Sequence, residues 1–259
     1  MVNKYLEWLL DQLAPCSCQL CGQATGRPVA LCEPCQRSLA CNSSACPNCA
    51  LPSAEAGELP CGHCQQQPPA FASTTAPYLY TQPVDGFIKQ LKFSADLCQL
   101  PVLAELMSRP MAQALRRHGR PDLLVPVPLH WRRQWRRGFN QASLLARQLR
   151  HHPLLRDWSL QVDDRLCTRR RATVAQHGLA PEQRRHNIRQ AFSCREYVSD
   201  LHVVIVDDVM TTGATVEALA REILNQGARR VDVWCCARTP APTDSIPSGQ
   251  CKPSAVTPY

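Results

Sequence analysis

The chain has 259 residues, of which 44% are hydrophobic and 19% are charged, and its formal net charge is +8. This length exceeds one small domain, whereas no stretch approaches the roughly 20 apolar residues of a membrane span. Glu7 and Asp11 interrupt the apolar stripe of the first residues, which argues against a signal peptide. We therefore expect a two-part soluble protein of the cytoplasm that begins with an amphipathic helix over residues 1–15.

Four CxxC pairs lie in the first quarter of the chain and predict metal binding. A CxxC turn directs two thiolates at one point, and tetrahedral Zn²⁺ takes two such turns. Loops of about ten residues separate the first pair from the second and the third from the fourth, which favours two sequential zinc ribbons over residues 16–64. The crossed arrangement, first with third and second with fourth, is the alternative. The expected ligands are Cys18, Cys21, Cys32, Cys35, Cys46, Cys49, Cys61 and Cys64.

Other chemistries compete for the sixteen cysteines. Disulfide bonds are one, but dense cysteines without a secretory signal favour a metal, and an iron–sulfur cluster is the alternative to zinc. We expect the zinc-ribbon region to have a core separate from that of the later sheet. Cysteines without ligand spacing are expected to be small buried hydrophobic residues. They are Cys98, Cys167, Cys194, Cys235, Cys236 and Cys251.

The rest of the chain alternates predicted strands and helices. QQQPPA within residues 65–72 predicts a linker, and the alternation over 73–238 predicts an α/β domain with a parallel sheet flanked by helices. The region 239–259 is rich in Pro, Ser and Thr without periodicity, which predicts a disordered tail. The expected strands are 73–80, 123–127, 203–206 and 231–237, and the expected helices are 84–93, 97–117, 215–226 and one opening at 137–141 and reaching about 150.

Positive charge is concentrated in the middle of the chain. Residues 109–195 contain nineteen arginines and five acidic residues. A solvated basic face is the simpler interpretation, but arginine makes bidentate contacts to phosphate and favours a polyanionic partner. Aromatic side chains are interleaved with the arginines, as in sites that stack single-stranded nucleic acid, although aromatic residues are more often part of a core. They are Trp131, Trp135, Phe139 and Trp158.

Residues 203–215, VVIVDDVMTTGAT, form the most informative segment. Its aliphatic run predicts a buried strand that ends on Asp207 and Asp208, at the edge where parallel sheets bind ligands. A carboxylate pair accepts hydrogen bonds from a ribose 2′,3′-diol, and the turn that follows offers hydroxyls and free N–H groups to a phosphate. The simpler alternative is an ordinary strand, turn and helix with solvated acids. The turn consists of Thr211, Thr212, Gly213, Ala214 and Thr215.

This segment resembles the phosphoribosyl pyrophosphate signature of type I phosphoribosyltransferases. The wider chain, from Leu6 to Thr239, resembles the ComF family of bacterial proteins, which place zinc knuckles ahead of a phosphoribosyltransferase-like domain. The matching segments are LKF at 91–93, PVPLHWRRQWRRGFNQA at 126–142, RLCTRRRATVAQHGL at 165–179, RRHNIRQAF at 184–192 and the signature itself.

The resemblance implies roles for individual residues. Asp207 and Asp208 would hold the ribose diol, and the turn 211–215 would hold the 5-phosphate. Arg137, in the motif RGFNQ, would contact pyrophosphate or a backbone phosphate and complete the catalytic set with the two acids. Residues 165–176 correspond to the mobile loop or hairpin that closes over such sites, and Thr173 and Gln176 match the family's TxxQ spacing there. The pyrophosphate loop would be Val127, Pro128, Leu129 and His130, with Mg²⁺ bridging the pyrophosphate and the ribose.

Two classes of function are consistent with these observations. In the first, implied by the resemblance, the protein handles single-stranded DNA during natural transformation, together with proteins of the DNA-uptake machinery. In the second, it is a Mg²⁺-dependent phosphoribosyltransferase that consumes phosphoribosyl pyrophosphate, with an acceptor that the sequence does not show. The arginine excess favours the first and the intact signature favours the second. The expected DNA contacts are Arg132, Arg133, Trp135, Arg136 and Arg137.

Overall fold

The computed structural model describes residues 16–53, 59–170 and 191–240. The expected helix over 1–15, residues Thr173 and Gln176, and nearly all of the expected tail lie outside these ranges. Helices are α1 (Glu33–Arg37), α2 (Gly62–Gln66), α3 (Val84–Phe93), α4 (Gln99–His118), α5 (Trp131–Arg137), α6 (Gln141–His151) and α7 (Ala214–Asn225). Strands are β1 (Ser73–Thr75), β2 (Tyr78–Leu79), β3 (Leu123–Pro126), β4 (Cys167–Arg169), β5 (Phe192–Cys194), β6 (His202–Met210) and β7 (Arg230–Arg238). None of the helices in these ranges is both long and apolar enough to cross a membrane.

Five strands form one parallel sheet in the order β1, β7, β6, β3, and β2 pairs with β7 along the same edge as β1. The long strands β6 and β7 lie in the centre, and their runs of Val and Ile suit strands that are buried on both faces. Strands β4 and β5 form a separate antiparallel pair. The predicted α/β fold with a parallel sheet flanked by helices is therefore confirmed.

Each face of the sheet carries a hydrophobic core, and the cysteine-rich region contributes to both. On one face, α3, α4 and α6 pack with Cys18, Leu31 and Leu39. On the other face, α7 packs with Cys46, Cys49 and Cys64. The expectation of a separate zinc-ribbon core is wrong, because so short a region buries its apolar side chains only by sharing the cores of the larger sheet.

Short segments cover both edges of the sheet. At the β2 edge, the backbone N–H of Leu79 donates to Ala40 O at 3.0 Å, and that of Asn42 donates to Pro77 O at 2.8 Å. At the β3 edge, the N–H of Leu124 donates to Gln161 O at 2.7 Å, and Asp163 bonds back to Leu124. These contacts leave little of either outer strand without a backbone partner.

The elements differ from the sequence-based expectations in three places. The first strand breaks at Ala76 and Pro77 into β1 and β2. Helix α5 was not expected, because none of its residues is buried and it shows no apolar periodicity. Gly138, at φ 82°, ends it before α6 begins. Strand β6 continues through both acids to Met210, so Asp207 and Asp208 lie within a paired strand rather than beyond its end.

Candidate functional site

The eight CxxC cysteines form two clusters. Within each cluster the four sulfur atoms lie within 4.8 Å of one another. The Sγ atoms of Cys21 and Cys32 are 3.7 Å apart, as are those of Cys49 and Cys61. The first pair therefore joins the second and the third joins the fourth. Sequential pairing is confirmed, and the crossed alternative is wrong.

The environment of the sulfurs fits a tetrahedral thiolate-bound cation. Burial raises the pKa of the Cys18 thiol, but backbone N–H donors outweigh it and lower that pKa to about 6. The same balance lowers the pKa of Cys46 to about 7. By contrast, a hydrogen bond with Cys32 and burial raise the pKa of Cys35 to about 12. Without a metal, some thiols of each cluster would therefore stay protonated. A zinc ion would displace those protons and bind the cysteines as thiolates.

The acid pair lies on β6, at the carboxyl end of the sheet. Asp208 is 1% exposed and pairs with Lys92, the next-to-last residue of α3, at 2.8 Å between Nζ and Oδ1. Its Oδ2 atom is buried without a hydrogen-bond partner. The Asp208 N–H donates to Asp207 Oδ1 at 2.9 Å, which fixes the two carboxylates relative to each other. A buried acceptor without a donor favours a ligand that brings hydroxyls or a cation.

Asp207 is the electrostatically strained member of the pair. Burial and the neighbouring charge of Asp208 raise its pKa to about 7, against the opposing effect of Lys92. The pair therefore retains a proton in mildly acidic solution and loses it near neutral pH. A carboxylate that is costly to ionise gains from hydroxyl donors or a divalent cation.

The turn after β6 combines exposed hydroxyls, a glycine and the start of a helix, which are features that the predicted phosphate site requires. Thr211 and Thr212 are exposed, and Gly213 has a φ of 80°. This φ is one that other L-residues rarely adopt, and a Cβ at Gly213 would also require Met210 Cε, 2.7 Å away, to move, so the position favours glycine. Helix α7 begins directly afterwards at Ala214, and its first N–H groups have no helical acceptor. Ala214 N–H makes only a long contact, 3.4 Å, to Thr212 Oγ1.

The predicted pyrophosphate loop, Val127 to His130, connects β3 to α5 beside the acid pair. The Val127 N–H donates to Val206 O at 2.9 Å, the residue before Asp207. Asn140 of the RGFNQ motif donates to Val127 O at 3.0 Å and so holds the loop from α6. His130 accepts from the Arg132 N–H, and burial together with three arginines lowers its pKa. Pro128 is buried and Leu129 half-buried.

Arg137, the last residue of α5, contacts Phe93 and Gln141 and interacts with Asp208. Its guanidinium lies 5.9 Å from the ring centre of Phe93, which is 73% exposed, and it donates to Gln141 Oε1. Burial lowers the pKa of Arg137, whereas the charge of Asp208 raises it, so the two groups interact electrostatically. Arg137 thus lies near the acid pair, as its predicted role requires.

Helix α5 presents aromatic and basic side chains to solvent. Trp131 is 62% exposed and Trp135 is 87% exposed, and the Arg132 guanidinium lies 5.2 Å from the centre of Trp131. Arg132, Arg133 and Arg136 are exposed as well. By contrast, Phe139 and Trp158 pack against the core. The exposed surface for stacking is therefore narrower than the sequence suggested.

Sequence reasoning missed three side chains at this end of the sheet. Lys92 pairs with Asp208, and the only sequence signal was its place in LKF. Arg169 on β4 has its pKa lowered by burial and Arg133 and raised by Asp207, which places it near the acids. Arg238, at the end of β7, donates to the carbonyls around the turn. Away from the acids, Cys167 and Cys194 form a disulfide between β4 and β5, not the free thiols that were expected.

The parallel sheet, the acid pair and the glycine turn define a phosphoribosyltransferase-type domain that is joined to two cysteine clusters. Residues 108–248 match the family described as phosphoribosyl transferase domain. Over 212 residues, the chain is 42% identical to DNA utilization protein YhgH of Salmonella typhimurium, covering 81% of this chain and 90% of that protein. It is 33% identical to Competence protein F of Haemophilus influenzae over 184 residues, covering 69% and 78%. The chain belongs to the ComF family.

Among solved structures, the chain is similar to a purine phosphoribosyltransferase from Pyrococcus horikoshii Ot3. The TM-score is 0.33 at 19% sequence identity, and the match covers 53% of this chain and 73% of that one.

Proposed function

We propose that this protein handles single-stranded DNA in the cytoplasm during DNA uptake or use, and that a ribose phosphate bound beside the DNA surface belongs to the same function. Relatives named for competence and for DNA utilization support the general role. Proteins of the DNA-uptake machinery are the proposed partners. Zn²⁺ is the proposed occupant of both cysteine clusters, where it would hold the N-terminal region on the sheet.

The position of α5 carries the proposal. Strands β3 and β6 are parallel neighbours, so the elements that follow them leave the same edge of the sheet. The loop and α5 follow β3, and the acid pair and glycine turn belong to the end of β6. Exposed Trp131 and Trp135 offer flat faces to unpaired bases, and the neighbouring arginines offer charge to their phosphates. Arg137 links this surface to the acid pair.

Phosphoribosyl pyrophosphate is the proposed ligand of the adjacent site. The turn 211–215 would bind its 5-phosphate through N–H groups at the start of α7. Asp207 and Asp208 would accept the ribose hydroxyls, and the unpaired Oδ2 of Asp208 supports a ligand at that position. Mg²⁺ carried in with the pyrophosphate would lie near the carboxylates and neutralise charge. Arg137 and the loop 127–130 would contact the pyrophosphate.

A second candidate is an active phosphoribosyltransferase. The acceptor nucleophile would form a bond to ribose C1 while the C1–O bond to pyrophosphate breaks and pyrophosphate departs with the electron pair. Arg137 would stabilise the departing charge, and Lys92 would hold the Asp208 carboxylate in position for the ribose. The acid pair beside a phosphate-binding turn is the observation that favours this candidate.

Two titrations of the purified protein test the proposal. Fluorescence anisotropy should show single-stranded DNA binding more tightly than duplex, with affinity falling as salt increases because counterions are released. Calorimetry should show that the wild type binds phosphoribosyl pyrophosphate in the presence of Mg²⁺. The double variant Asp207→Ala/Asp208→Ala should bind it more weakly. Absence of DNA binding at low salt together with ribose-phosphate binding would leave the enzyme as the surviving candidate. Absence of both would reject the proposal.

A further inference from the structure

Arg238 connects the second cysteine cluster to the glycine turn. It is the last residue of β7 and is 5% exposed. Its Nε donates to the carbonyl of Cys49 at 2.9 Å. Its Nη1 donates to the carbonyls of Met210, at 3.2 Å, and of Thr211. One buried guanidinium therefore reaches a cluster cysteine and the first residue of the turn.

The hydrogen bonds of Arg238 fix the positions of the backbone carbonyls that accept them. A guanidinium is a planar fork whose donors have fixed relative directions, so it fixes the carbonyls that it joins. Nη1 also donates to Thr239 O at 2.9 Å. Among the described residues, no carboxylate lies within ion-pair distance of Arg238. A buried cation held by carbonyls alone is costly to maintain, which favours a specific use over simple packing.

Among the described residues, few side-chain contacts besides those of Arg238 support the turn on the side that faces the second cysteine cluster. The Ala70 N–H donates to Glu217 Oε2 at 2.9 Å and holds the segment after α2 against α7. Between that segment and the turn lies a cavity of about 290 Å³, lined by Cys49, Cys64, Met210 and Gly213 among others. This side of the turn borders a cavity, and Arg238 supplies side-chain donors to the first carbonyls there, in addition to the Thr239 N–H, which donates to Met210 O at 3.0 Å.

We propose that Arg238 is a positioning residue that couples metal occupancy of the second cysteine cluster to the order and anion affinity of the turn 211–215. A metal that holds Cys49 fixes its carbonyl, which orients the guanidinium and thereby the Thr211 carbonyl. The direction of the N–H groups that follow depends on that carbonyl. Coupling of this kind is reciprocal, so an anion on the turn should raise the equilibrium affinity of the second cluster for metal by the same factor. The anion-binding half rests on the proposed function.

The test uses the full-length zinc-loaded protein, the variants Arg238→Met and Arg238→Lys, and Ile223→Val as a control. Ile223 is fully buried on α7, so its variant loosens the same helix without touching the Arg238 contacts. Hydrogen exchange of peptides covering residues 209–216 is measured before and after a chelator removes zinc. Isothermal titration with ribose 5-phosphate is carried out in parallel, and zinc affinity with and without ribose 5-phosphate is measured by equilibrium competition with a chelator.

We expect zinc removal to accelerate exchange of the turn in the wild type and in Ile223→Val. In Arg238→Met the exchange should already be fast with zinc present, and ribose 5-phosphate affinity should fall about 5-fold or more. Ribose 5-phosphate should raise the affinity for one of the two zinc equivalents in the wild type and in Ile223→Val, but not in Arg238→Met. If the planar guanidinium rather than its positive charge fixes the carbonyls, Arg238→Lys should behave like Arg238→Met.

The exchange measurements test the positioning role of Arg238, and the titrations with ribose 5-phosphate test the proposed function. If the turn responds to zinc through Arg238 but no ribose 5-phosphate binds to the wild type, the positioning role stands and the ribose-phosphate site is rejected. If ribose 5-phosphate binds equally to the wild type and Arg238→Met and turn exchange ignores zinc, the positioning role is overturned. If neither arm responds, both are overturned.

Discussion

Lys92 and Asp208 form a buried ion pair between the end of α3 and the end of β6, with 2.8 Å between Nζ and Oδ1. Only 17% of the lysine side chain and 2% of the aspartate side chain are exposed. The pair joins the LKF segment to the acid pair across more than a hundred residues. It also fixes the position of Asp208, one of the proposed ribose ligands.

Lys92→Met should therefore destabilise the protein by about 3 kcal/mol, since it leaves a buried carboxylate without its cation. Urea unfolding followed by circular dichroism measures this change. Arg37→Met is a matched control, because it removes the exposed Arg37–Glu33 pair of α1, where a loss of about 0.5 kcal/mol or less is expected. If the two substitutions lowered the free energy of unfolding equally, the buried Lys92–Asp208 pair would stabilise the fold no more than an exposed pair does.

The raised pKa of Asp207 predicts a dependence of stability on pH. Its value near 7, against an ordinary 3.8, means that the folded protein keeps a proton that the unfolded chain has already lost. The contribution of this group to folding stability therefore decreases as pH rises from about 4 to 7 and is constant above that range. Asp207→Asn should remove the decrease.

Denaturant unfolding of the wild type and Asp207→Asn between pH 5 and pH 8 measures this effect as a difference. The variant should gain stability relative to the wild type as pH rises. Zinc loss in acid acts on both proteins alike and cancels in the comparison. A difference that is constant with pH would mean that Asp207 titrates normally.

Gly213→Ala should weaken phosphate binding and destabilise the fold by about 1–2 kcal/mol, because φ is positive and the added Cβ meets Met210. Gly86→Ala, inside α3, is the opposite case. Nothing lies within 4 Å of a Cβ there, and the change should stabilise the helix by about 0.5–1 kcal/mol. Thermal unfolding with and without ribose 5-phosphate measures both. Unimpaired ligand binding by Gly213→Ala would contradict the proposed phosphate turn.

The surface of α5 predicts two separable effects on DNA binding. Substituting Arg132, Arg133 and Arg136 together should weaken binding and flatten the dependence of log affinity on log salt by about 2, since each phosphate contact contributes about 0.7. Trp135→Ala should lower affinity by about 1–3 kcal/mol without changing that slope. Anisotropy across a salt series distinguishes the two. Phe139, which packs against the core, is unsuited to this test because its loss would unfold the region.

The cysteine clusters predict about two zinc ions per chain, one for each set of four thiolates. Cys21→Ser and Cys64→Ser should each lose one of them, as measured by metal analysis. Cys98→Ser changes an exposed cysteine outside the clusters and should retain both. Because Cys64 is part of the α7 core, its variant should also lower the melting temperature of the whole domain. Iron in place of zinc would contradict the assignment.

Local sequence patterns predicted those features that depend on neighbouring residues. The loop lengths favoured sequential pairing of the CxxC turns, and the apolar run at 203–206 located the central strand. Helix α3 has the expected bounds of Val84 and Phe93. Each of these signals is contained within a few tens of residues.

Contacts between distant residues left no comparable signal. Neither Lys92 nor Arg238 belongs to a spacing motif that links it to Asp208 or Cys49, and only folding brings these residues together. The disulfide of Cys167 and Cys194 depends on the register of two three-residue strands that are too short to show periodicity. Helix α5 escaped prediction because a helix that buries nothing has no apolar face to detect.

The backbone contacts of Ala40 and Asn42 along β2 mean that the cysteine-rich region also covers the outer edge of the sheet. Those residues lie between the two clusters, so metal bound on either side would keep them against the sheet. Loss of metal would free the N–H and carbonyl groups of an outer strand, and such groups pair readily with another copy of the same chain. Chelated protein should therefore form aggregates at high concentration even where its sheet is still folded, and low protein concentration should suppress them.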